Sequence, residues 1–348
     1  MILSHSVNKN KKNERLQKMK KILVLAVCIY FSQIASCQVI KGKVFDSSTN
    51  QAIISASVYF NGTYIGTTSD KDGKFELDIS RNKNMPLTVS AIGYYSVTLK
   101  QFEEGKTLEV KLSPKDYVIN QANVKAKSLK NKRKMCLRLF KEEFLGDDYK
   151  EMKCEIENET DITFNYEADF DTIKAFARNP IRILNKGLGY KITYFLNKFE
   201  YSWKNSGILY EGNFIFQDMA TADSAQKQRF HNTRFSVYEG SRMQFFRTLW
   251  ADSLNISQFL ISNKFGQPLG VKDIVKQVNE KKYLTYPDKI IVNYNMKTTQ
   301  LVFLNKSVFF DKNGYFDGSG INWIGVMGVQ RIADTLPHEY VALDLAKE

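Results

Sequence analysis

The stretch that decides the fold is Gly62-Thr-Tyr-Ile-Gly-Thr-Thr-Ser-Asp-Lys-Asp-Gly-Lys-Phe-Glu-Leu77. It contains two short strand-like runs on either side of Asp72–Gly73, a pair typical of tight turns because glycine adopts a positive φ without steric cost. In the second run Phe75 and Leu77 alternate with charged residues, which is the period of a half-buried strand. The stretch therefore predicts a hairpin with one face in a core and the other in water.

The same pattern continues on both sides of this stretch. Short runs rich in Val, Ile, Thr, Tyr and Phe are separated by Gly, Asn, Asp and Ser about every ten residues. No helical period intervenes between residues 39 and 112. This pattern is typical of a small β-sandwich, in which two sheets share one core.

A set of spaced motifs in this region resembles the carboxypeptidase regulatory-like domain. The motifs are Gly42-x-Val44-x-Asp46, Ala56-x-Val58, Gly62-Thr63, Gly66-Thr67-Thr68-x-Asp70-x-Asp72-Gly73-x-Phe75 and Ser90-x-x-Gly93-Tyr94. The resemblance covers residues 38–126 and implies a transthyretin-like sandwich of seven strands. It implies these structural turn residues: Gly62, Gly66, Asp72, Gly73 and Gly93. The sequence departs from the family at Gln51-Ala52-Ile53, where a proline usually precedes the second strand.

The resemblance also implies a place in the bacterial envelope. Domains of this family commonly precede the plug of TonB-dependent outer-membrane receptors or stand in other envelope proteins. The partners that this implies are an envelope protein or a glycan, including an outer-membrane receptor.

The family name brings no metal site to this chain. The regulatory domain is the non-catalytic appendage of zinc carboxypeptidases, and their zinc site needs a His-x-x-Glu pair and a distant His. The chain has three histidines, His5, His231 and His338, and neither of the last two has Glu three residues later. The Asp-x-Asp/Asn-Gly motifs at 70–73 and 311–314 lack the further ligands of an EF-type calcium loop and are interpreted as hairpin turns. We therefore expect no metal and no other cofactor.

Residues 1–37 are predicted to be a signal peptide with an upstream extension. Met19 opens a basic start, an apolar run and a small-residue end, and no later run is long enough for a membrane helix. Cleavage between Cys37 and Gln38 is the favoured interpretation, since the first strand follows at once. The alternative is that Ile34-Ala35-Ser36-Cys37 is a bacterial lipobox and that Cys37 is lipidated. Either interpretation predicts an exported protein of the periplasm or the outer membrane.

The net charge of +13 overstates the basic character of the mature chain. Seven of the 50 basic residues and one of the 37 acidic residues lie in 1–37, so the remainder has a net charge of +7. A mild excess of this kind favours solubility and affinity for anionic surfaces over nucleic-acid binding.

Residues 127–348 are predicted to form an α+β domain with mostly antiparallel strands. The basic stretch Lys125–Arg133 is interpreted as a solvated linker into a helix, with binding of membrane phosphates as the alternative. Gly146 is placed to end that helix, and Ser241 could cap a second helix over 241–261. The first helix has its apolar residues on one face: Leu129, Cys136, Leu139, Phe140 and Phe144.

Some short phrases of this region look like the C-terminal part of uncharacterised secreted proteins that begin with the same sandwich. This looser resemblance implies no activity. The phrases are Phe144-Leu145-Gly146, Asn185–Tyr190, Tyr238–Ser241 and Leu336-Pro337-x-x-Tyr340.

Two cysteines lie outside the leader, Cys136 and Cys154. An exported protein can form a disulfide between them. The alternative is that each is a small buried hydrophobic residue.

Few residues offer catalytic chemistry. Ser241, His231 and Asp252 have the residue types of a hydrolase triad, but no nucleophile elbow surrounds the serine. The glycines of Asn185–Tyr190 precede a strand, which favours a turn over a phosphate-binding loop. Three tryptophans offer stacking surfaces for sugars, although core packing is their commoner use: Trp203, Trp250 and Trp323.

The sequence therefore predicts an exported, non-catalytic envelope protein whose sandwich contacts protein or glycan. No residue is assigned a catalytic role. The alternative is a periplasmic hydrolase that acts on peptide or glycan.

Overall fold

A computed structural model describes residues 38–103, 105–115, 126–167, 171–204 and 207–342 of the 348-residue chain. The leader with Cys37, and Lys125 of the basic stretch, lie outside the described residues. The expected fold class is confirmed: the chain is mainly β, with a sandwich followed by an α+β region that holds several antiparallel sheets. Of the helices described, none has the length and apolar content needed to cross a bilayer.

The N-terminal unit is a sandwich of seven strands in two sheets. One sheet has the order β4-β1-β7 and the other the order β3-β2-β5-β6. The expected alternation holds in β4, where Phe75 and Leu77 are buried and their neighbours are exposed. The strands are β1 Val39–Asp46, β2 Ser57–Phe60, β3 Gly66–Thr68, β4 Lys74–Asp78, β5 Leu87–Ser90, β6 Val97–Leu99 and β7 Leu108–Leu112.

The hairpin expected around Asp72–Gly73 is wrong in one respect, because its two strands belong to different sheets. β3 pairs with β2, whereas β4 pairs with β1. Asp70 Oδ1 accepts hydrogen bonds from the N–H groups of Asp72 and Lys74 at 2.9 and 2.8 Å, and Gly73 has a φ of 74°. The turn is therefore tight, but it carries the chain from one sheet to the other. Residue alternation identifies a strand without identifying its partner.

The other proposed turn glycines differ in conformation. Gly62 and Gly93 have φ values of 73° and 85°, which favour glycine. Gly66 instead begins β3, and an added Cβ there would lie 2.8 Å from Tyr59 Cβ. Gly66 is therefore required because a side chain would not fit beside Tyr59, and not because the backbone turns there.

The second unit packs helix α1, Ala126–Leu145, on a six-stranded sheet. The sheet has the order β8-β11-β12-β10-β9, and β13 pairs with β12 along its whole length. Phe140 and Phe144 are fully buried against this sheet, and Gly146 follows the helix with a φ of 104°, as the sequence predicts. The strands are β8 Cys154–Ile156, β9 Ile162–Glu167, β10 Thr172–Ala177, β11 Ile181–Asn185, β12 Tyr190–Ser202 and β13 Gly207–Asp218.

The third unit has its own buried core of aromatic and aliphatic residues. It contains a sheet β14-β17-β18-β20 and a smaller sheet β15-β16-β19. The helices after β13 are α2 Ser224–Tyr238, α3 Arg242–Trp250 and α4 Val271–Ile274. The strands are β14 Phe259–Asn263, β15 Val275–Val278, β16 Lys281–Leu284, β17 Ile290–Tyr294, β18 Lys297–Phe303, β19 Val308–Phe310 and β20 Ile321–Gly325.

The helix expected over 241–261 is wrong in length. Ser241 caps α3 as expected, with its Oγ accepting from the Gln244 N–H at 3.1 Å. The helix ends at Trp250, and Asp252 has a φ of 51°, which lies outside the range of a right-handed helix. Phe259 then begins β14, because Phe259 and Ile261 alternate toward the core of the third unit.

The two cysteines are separate buried thiols. Cys136 lies on α1 and Cys154 on β8, and the structure joins neither to the other. Burial raises the pKa of the Cys154 thiol to about 12. This arrangement agrees with the interpretation of the cysteines as small hydrophobic residues.

The sandwich is joined to the second unit by the loop between β2 and β3. The Gly62 N–H donates to the Phe214 carbonyl and the Phe216 N–H donates to the Thr63 carbonyl, each at 2.9 Å. Thr63 and Ile215 form a parallel bridge, so the loop briefly extends the six-stranded sheet beyond β13. The sandwich is therefore fixed to the outer edge of β13.

Candidate functional site

The candidate site is a cleft of about 810 Å³ where the three units meet, which we call the central cleft. The sandwich contributes Asn61 and Thr98, and β13 contributes residues 209–214. The third unit contributes residues 314–316, and the segment after β20 contributes much of 330–338. The cleft exists only because the three units are packed together.

One wall of the central cleft is aromatic. Tyr194 of β12 stacks on Phe214 with 5.7 Å between ring centroids, and Tyr210 lies edge-on to Phe144 at 5.9 Å. Gly212 permits this packing, since an added Cβ would overlap the Tyr194 ring. Burial raises the pKa of Tyr194 well above its ordinary value, so the phenol stays protonated.

A second wall contains Arg242, the first residue of α3. Its Nη2 donates to the Gln330 carbonyl at 2.6 Å, and its Nε donates to Gln330 Oε1 at 3.3 Å. Within the described residues its Nη1 has no protein hydrogen bond and the guanidinium has no ion pair with a carboxylate. Burial lowers the pKa of Arg242, and the neighbouring Arg331 charge acts in the same direction.

Arg331 lies beside Arg242 and is also without a carboxylate partner in the described part of the chain. Its Nε donates to the Glu143 carbonyl at 3.3 Å, and its Nη1 donates to the carbonyls of Gly328 and Gln330. The guanidinium carbon lies 5.8 Å from the centroid of Tyr210. Nη2 has no protein hydrogen bond among these residues. Both arginines therefore keep donors that no neighbouring oxygen takes.

Asp334 is a carboxyl group whose charge interacts with both arginines. Burial raises its pKa to about 6, and the charge of Asp148 adds to this, while Arg242 and Arg331 oppose it. The carboxyl group therefore changes charge between about pH 5 and pH 7. Glu211 of β13 also lines the cleft.

His338 closes one end of the central cleft and contacts both the sandwich and the third unit. Its backbone N–H donates to the Gly62 carbonyl at 2.9 Å, and the centroid of its imidazole lies 5.7 Å from that of the Tyr315 ring. Its carbonyl accepts from Arg247 Nη2 at 3.0 Å. Burial lowers the pKa of His338 to about 4, with a smaller contribution from the Arg247 charge, while contact with the Asn313 carbonyl opposes the shift.

The structure does not bring the three residues of the hydrolase triad into contact. The Ser241 hydroxyl caps α3, His231 lies on α2, and Asp252 follows the end of α3. No hydrogen bond joins any two of them in the described part of the chain. Ser241 therefore has a structural role in positioning Arg242.

The loops considered for ion binding are turns. Asp311 Oδ1 accepts from the N–H groups of Asn313 and Tyr315 at 2.9 and 3.0 Å, in the same manner as Asp70. Asn185–Tyr190 is the tight connection between β11 and β12, with Gly189 at a φ of 71°. Within the described ranges, no group of three or more His, Cys, Asp or Glu side chains is arranged to hold a metal ion.

The tryptophans pack within the units and do not line the central cleft. Trp203 lies edge-on to Tyr201 at 5.7 Å. Trp250 contacts Phe310, and Trp323 contacts Phe316. Their aromatic faces are used in packing, so any aromatic contact with a ligand falls to the cleft tyrosines and phenylalanines.

Most of the cleft residues are not among those that the sequence singles out; the exceptions are Ser241, Gly314, Leu336 and His338. Arg242, Arg331 and Asp334 stand in segments without a recognisable motif. For Arg242 a signal exists, because it directly follows a helix cap and its long charged side chain is held close to the helix start. The sequence gives no comparable signal for Arg331 or Asp334.

Comparisons with known proteins support the fold of the first unit. No curated protein matches the sequence. A crystal structure from Bacteroides fragilis NCTC 9343, described as a "putative membrane-associated protein of unknown function", is 12% identical; the alignment covers 82% of this chain and 94% of that one, with a TM-score of 0.17. A likeness this low carries no information on arrangement or activity. Residues 40–124 match the family of CarboxypepD_reg-like domains. The seven-strand sandwich of this protein is therefore a carboxypeptidase regulatory-like domain, and the resemblance stated from its glycine motifs is confirmed.

Proposed function

We propose that the protein is an exported, non-catalytic binding protein of the cell envelope, and that the central cleft takes an acidic segment of a protein or an acidic glycan. The observation that carries the proposal is the pair of arginines in the cleft. Arg242 and Arg331 are half-buried in one wall of the cleft, and each keeps an Nη donor that has no protein acceptor among the described residues.

The charge balance of the cleft supports an anionic ligand. Two neighbouring guanidinium groups are costly to desolvate without a counter-charge, because burial disfavours an unpaired ion. Asp334 compensates only part of this charge, since it is one carboxylate beside two guanidinium groups and it loses its charge as the pH falls through about 6. A carboxylate or sulfate in the cleft would accept from both guanidinium groups and relieve their repulsion.

The aromatic wall supports the same class of ligand. Tyr210, Phe214, Tyr315 and Phe316 line the cleft together with Leu209. Such rings bind the apolar faces of sugars and the side chains of peptides equally well. The acidic group would then fix the ligand's orientation, and the rings would supply contact area.

The first prediction concerns ligand charge. Residues 38–348 are expected to bind tetragalacturonate, or a hexapeptide with two glutamates, about tenfold more tightly than galactotetraose or the glutamine version of the peptide. Titration calorimetry of all four probes makes the comparison. Affinity for the acidic probes should rise as the pH falls from 7 to 5, because Asp334 loses its negative charge in that range.

Two variants and one control locate this binding. Arg242→Gln and Arg331→Gln should each abolish most of the preference for acidic probes. Arg229→Gln, on α2 with a side chain 70% exposed, removes the same charge outside the cleft and should leave affinity unchanged. Circular dichroism spectra confirm that each variant is folded. Equal binding of acidic and neutral probes would exclude the proposed ligand class.

The rival function has one specific observation in its favour. Asp334 and Glu211 both line the cleft, and a carboxylic acid with a raised pKa is the kind of group that acts as a general acid in glycosidases. We propose binding without turnover, so both acidic probes should be recovered intact after long incubation with the protein. Appearance of shorter products by chromatography would establish the hydrolase instead.

The second prediction concerns export. We expect cleavage between Cys37 and Gln38, because small residues precede this position and the first strand follows at Val39. Mass spectrometry of the N-terminal peptide, from protein isolated out of the cells that make it, gives the result directly. A diacylglyceryl group on Cys37 would instead make the protein a stable membrane resident. An intact leader would contradict export.

A further inference from the structure

The outer edge of β13 continues into the central cleft as an open strand edge. Where the sandwich loop pairs with β13, the Phe214 carbonyl and the Phe216 N–H point away from β12. Peptide groups alternate in direction along a strand, so the N–H and C=O groups of Ile208, Tyr210 and Gly212 point the same way. The register break of this strand pair lies on β12, between Leu196 and Lys198, so β13 itself keeps this alternation.

The sandwich loop leaves this edge at a defined place. Asn61 Oδ1 accepts from the Phe214 N–H at 2.8 Å and so takes the last outward-pointing group that the loop reaches. Beyond it, the outward groups of Ile208, Tyr210 and Gly212 have no hydrogen-bond partner within the described residues. Tyr210 and Gly212 line the central cleft.

We infer that the ligand of the central cleft is an extended peptide segment of another protein, which adds a strand to β13 at residues 208–212. An open strand edge is a template for main-chain hydrogen bonds with an added strand. The loop at Thr63 already pairs with this edge, so the site continues an established strand contact. This inference rests on the proposed function and narrows its ligand from protein or glycan to protein.

The chemistry of the walls specifies the peptide further. Side chains of an added strand alternate between the two faces of the sheet. One face carries Leu209, which is 44% exposed, and the other carries Tyr210, which lies beside Arg331. The segment that fits has an apolar residue on the Leu209 side and an acidic residue on the Arg331 side. An acidic glycan would satisfy the arginines but would leave the strand edge without partners.

The test uses residues 38–348 and heptapeptides selected from a random display library on this protein. The tightest peptide is then made in two forms, each with N-methyl groups on alternate residues of opposite parity. In a strand added to β13, only one parity of peptide N–H groups faces the edge. We expect one form to bind like the parent and the other to bind at least tenfold more weakly, by fluorescence anisotropy.

Amide hydrogen exchange provides the matching readout on the protein. The amides of Ile208, Tyr210 and Gly212 should exchange fast in the free protein and slowly with peptide bound. Those of Leu209, Glu211 and Asn213, which face β12, should be protected in both states. Ile208→Pro removes one outward N–H and keeps the pairing with β12, so it should weaken binding of the parent peptide at least tenfold. The Ile208 side chain packs against the core of the second unit, so Ile208→Ala, which loses similar packing but keeps the N–H, is the control and should bind the peptide like the wild type.

Each failure has its own meaning. If both N-methylated forms bind equally at the cleft, strand addition is excluded and the proposed acidic-ligand function stands. If the library yields no binder while tetragalacturonate binds, the partner is a glycan and this inference is overturned. If neither class of probe binds the cleft, the inference and the proposed function both fail.

Discussion

Replacing Gly73 with alanine should lower the free energy of unfolding of the sandwich by about 3 kcal/mol, whereas the same change at Gly93 should cost about 1 kcal/mol. Both glycines have a positive φ, 74° and 85°, so both variants carry the same conformational strain. Only Gly73 is crowded: an added Cβ would lie 2.7 Å from the Val44 carbonyl oxygen, and nothing lies within 4 Å at Gly93. The difference therefore measures the close approach of the turn to β1.

Hydrogen exchange of buried strand amides is the suitable measurement. The three tryptophans all lie after residue 200, so tryptophan fluorescence does not follow the sandwich. The amides of Val44, Val58 and Val89 are in its core strands and exchange only when it opens. Equal losses at the two glycines would mean that the turn at Gly73 relaxes away from β1 without cost.

Acidification should destabilise the wild-type protein more than a His338→Gln variant, by about 2 kcal/mol between pH 7 and pH 4.5. Burial lowers the pKa of His338 to about 4 from an ordinary 6.5. A lowered pKa gives a contribution that is fully present above pH 6.5 and is lost as the pH falls through 6.5 toward 4. The variant has no titrating group at this position and so lacks this loss.

Other groups titrate in the same pH range, so the quantity to measure is the difference in free energy of unfolding between the wild type and the variant. Asp334 and Asp311 have pKa values raised to about 6, so their contributions change in the opposite sense, increasing as the pH falls. These contributions are common to both proteins and cancel, as does the packing lost with the imidazole. Urea unfolding at the two pH values gives the four free energies. A pH-independent difference would show that His338 is solvated in the folded protein.

The sequence predicts those features of the fold that depend on local periodicity. The alternation at Phe75 and Leu77 predicts β4, and Gly146 predicts the end of α1. Pairing is different: nothing local distinguishes a β3–β4 hairpin from a turn between two sheets, because the choice depends on β1, which lies some thirty residues earlier.

Helix α2 shows the opposite limit, because it gives no periodic signal. Phe230 is the buried residue in its fifteen positions, and polar residues surround it. A helix with so little apolar surface is stabilised by its tertiary contacts. It has no amphipathic stripe, so hydrophobic periodicity does not predict it.

The central cleft was beyond prediction for a geometric reason. Its residues come from Asn61, β13, the start of α3 and the segment that contains Arg331 and Asp334, which are distant in sequence. The residues of a catalytic motif have a fixed spacing in the sequence. The residues of this cleft come from three separately packed units and have no fixed spacing. Of these elements, the sequence predicts only the turn of the sandwich at Gly62, which places Asn61.

The docking of the sandwich has a consequence for the order in which the chain acquires its structure. The Tyr64 N–H donates to Glu339 Oε1 at 3.0 Å, a contact between residues 275 positions apart. The sandwich is synthesised first, yet Glu339, one of the residues that fix its loop, is synthesised 275 residues after Tyr64. Closing so long a loop is entropically costly and slow. We therefore expect a stage of synthesis in which the first unit is folded but lacks this contact, and the cleft is complete only after residues 330–338 have been made.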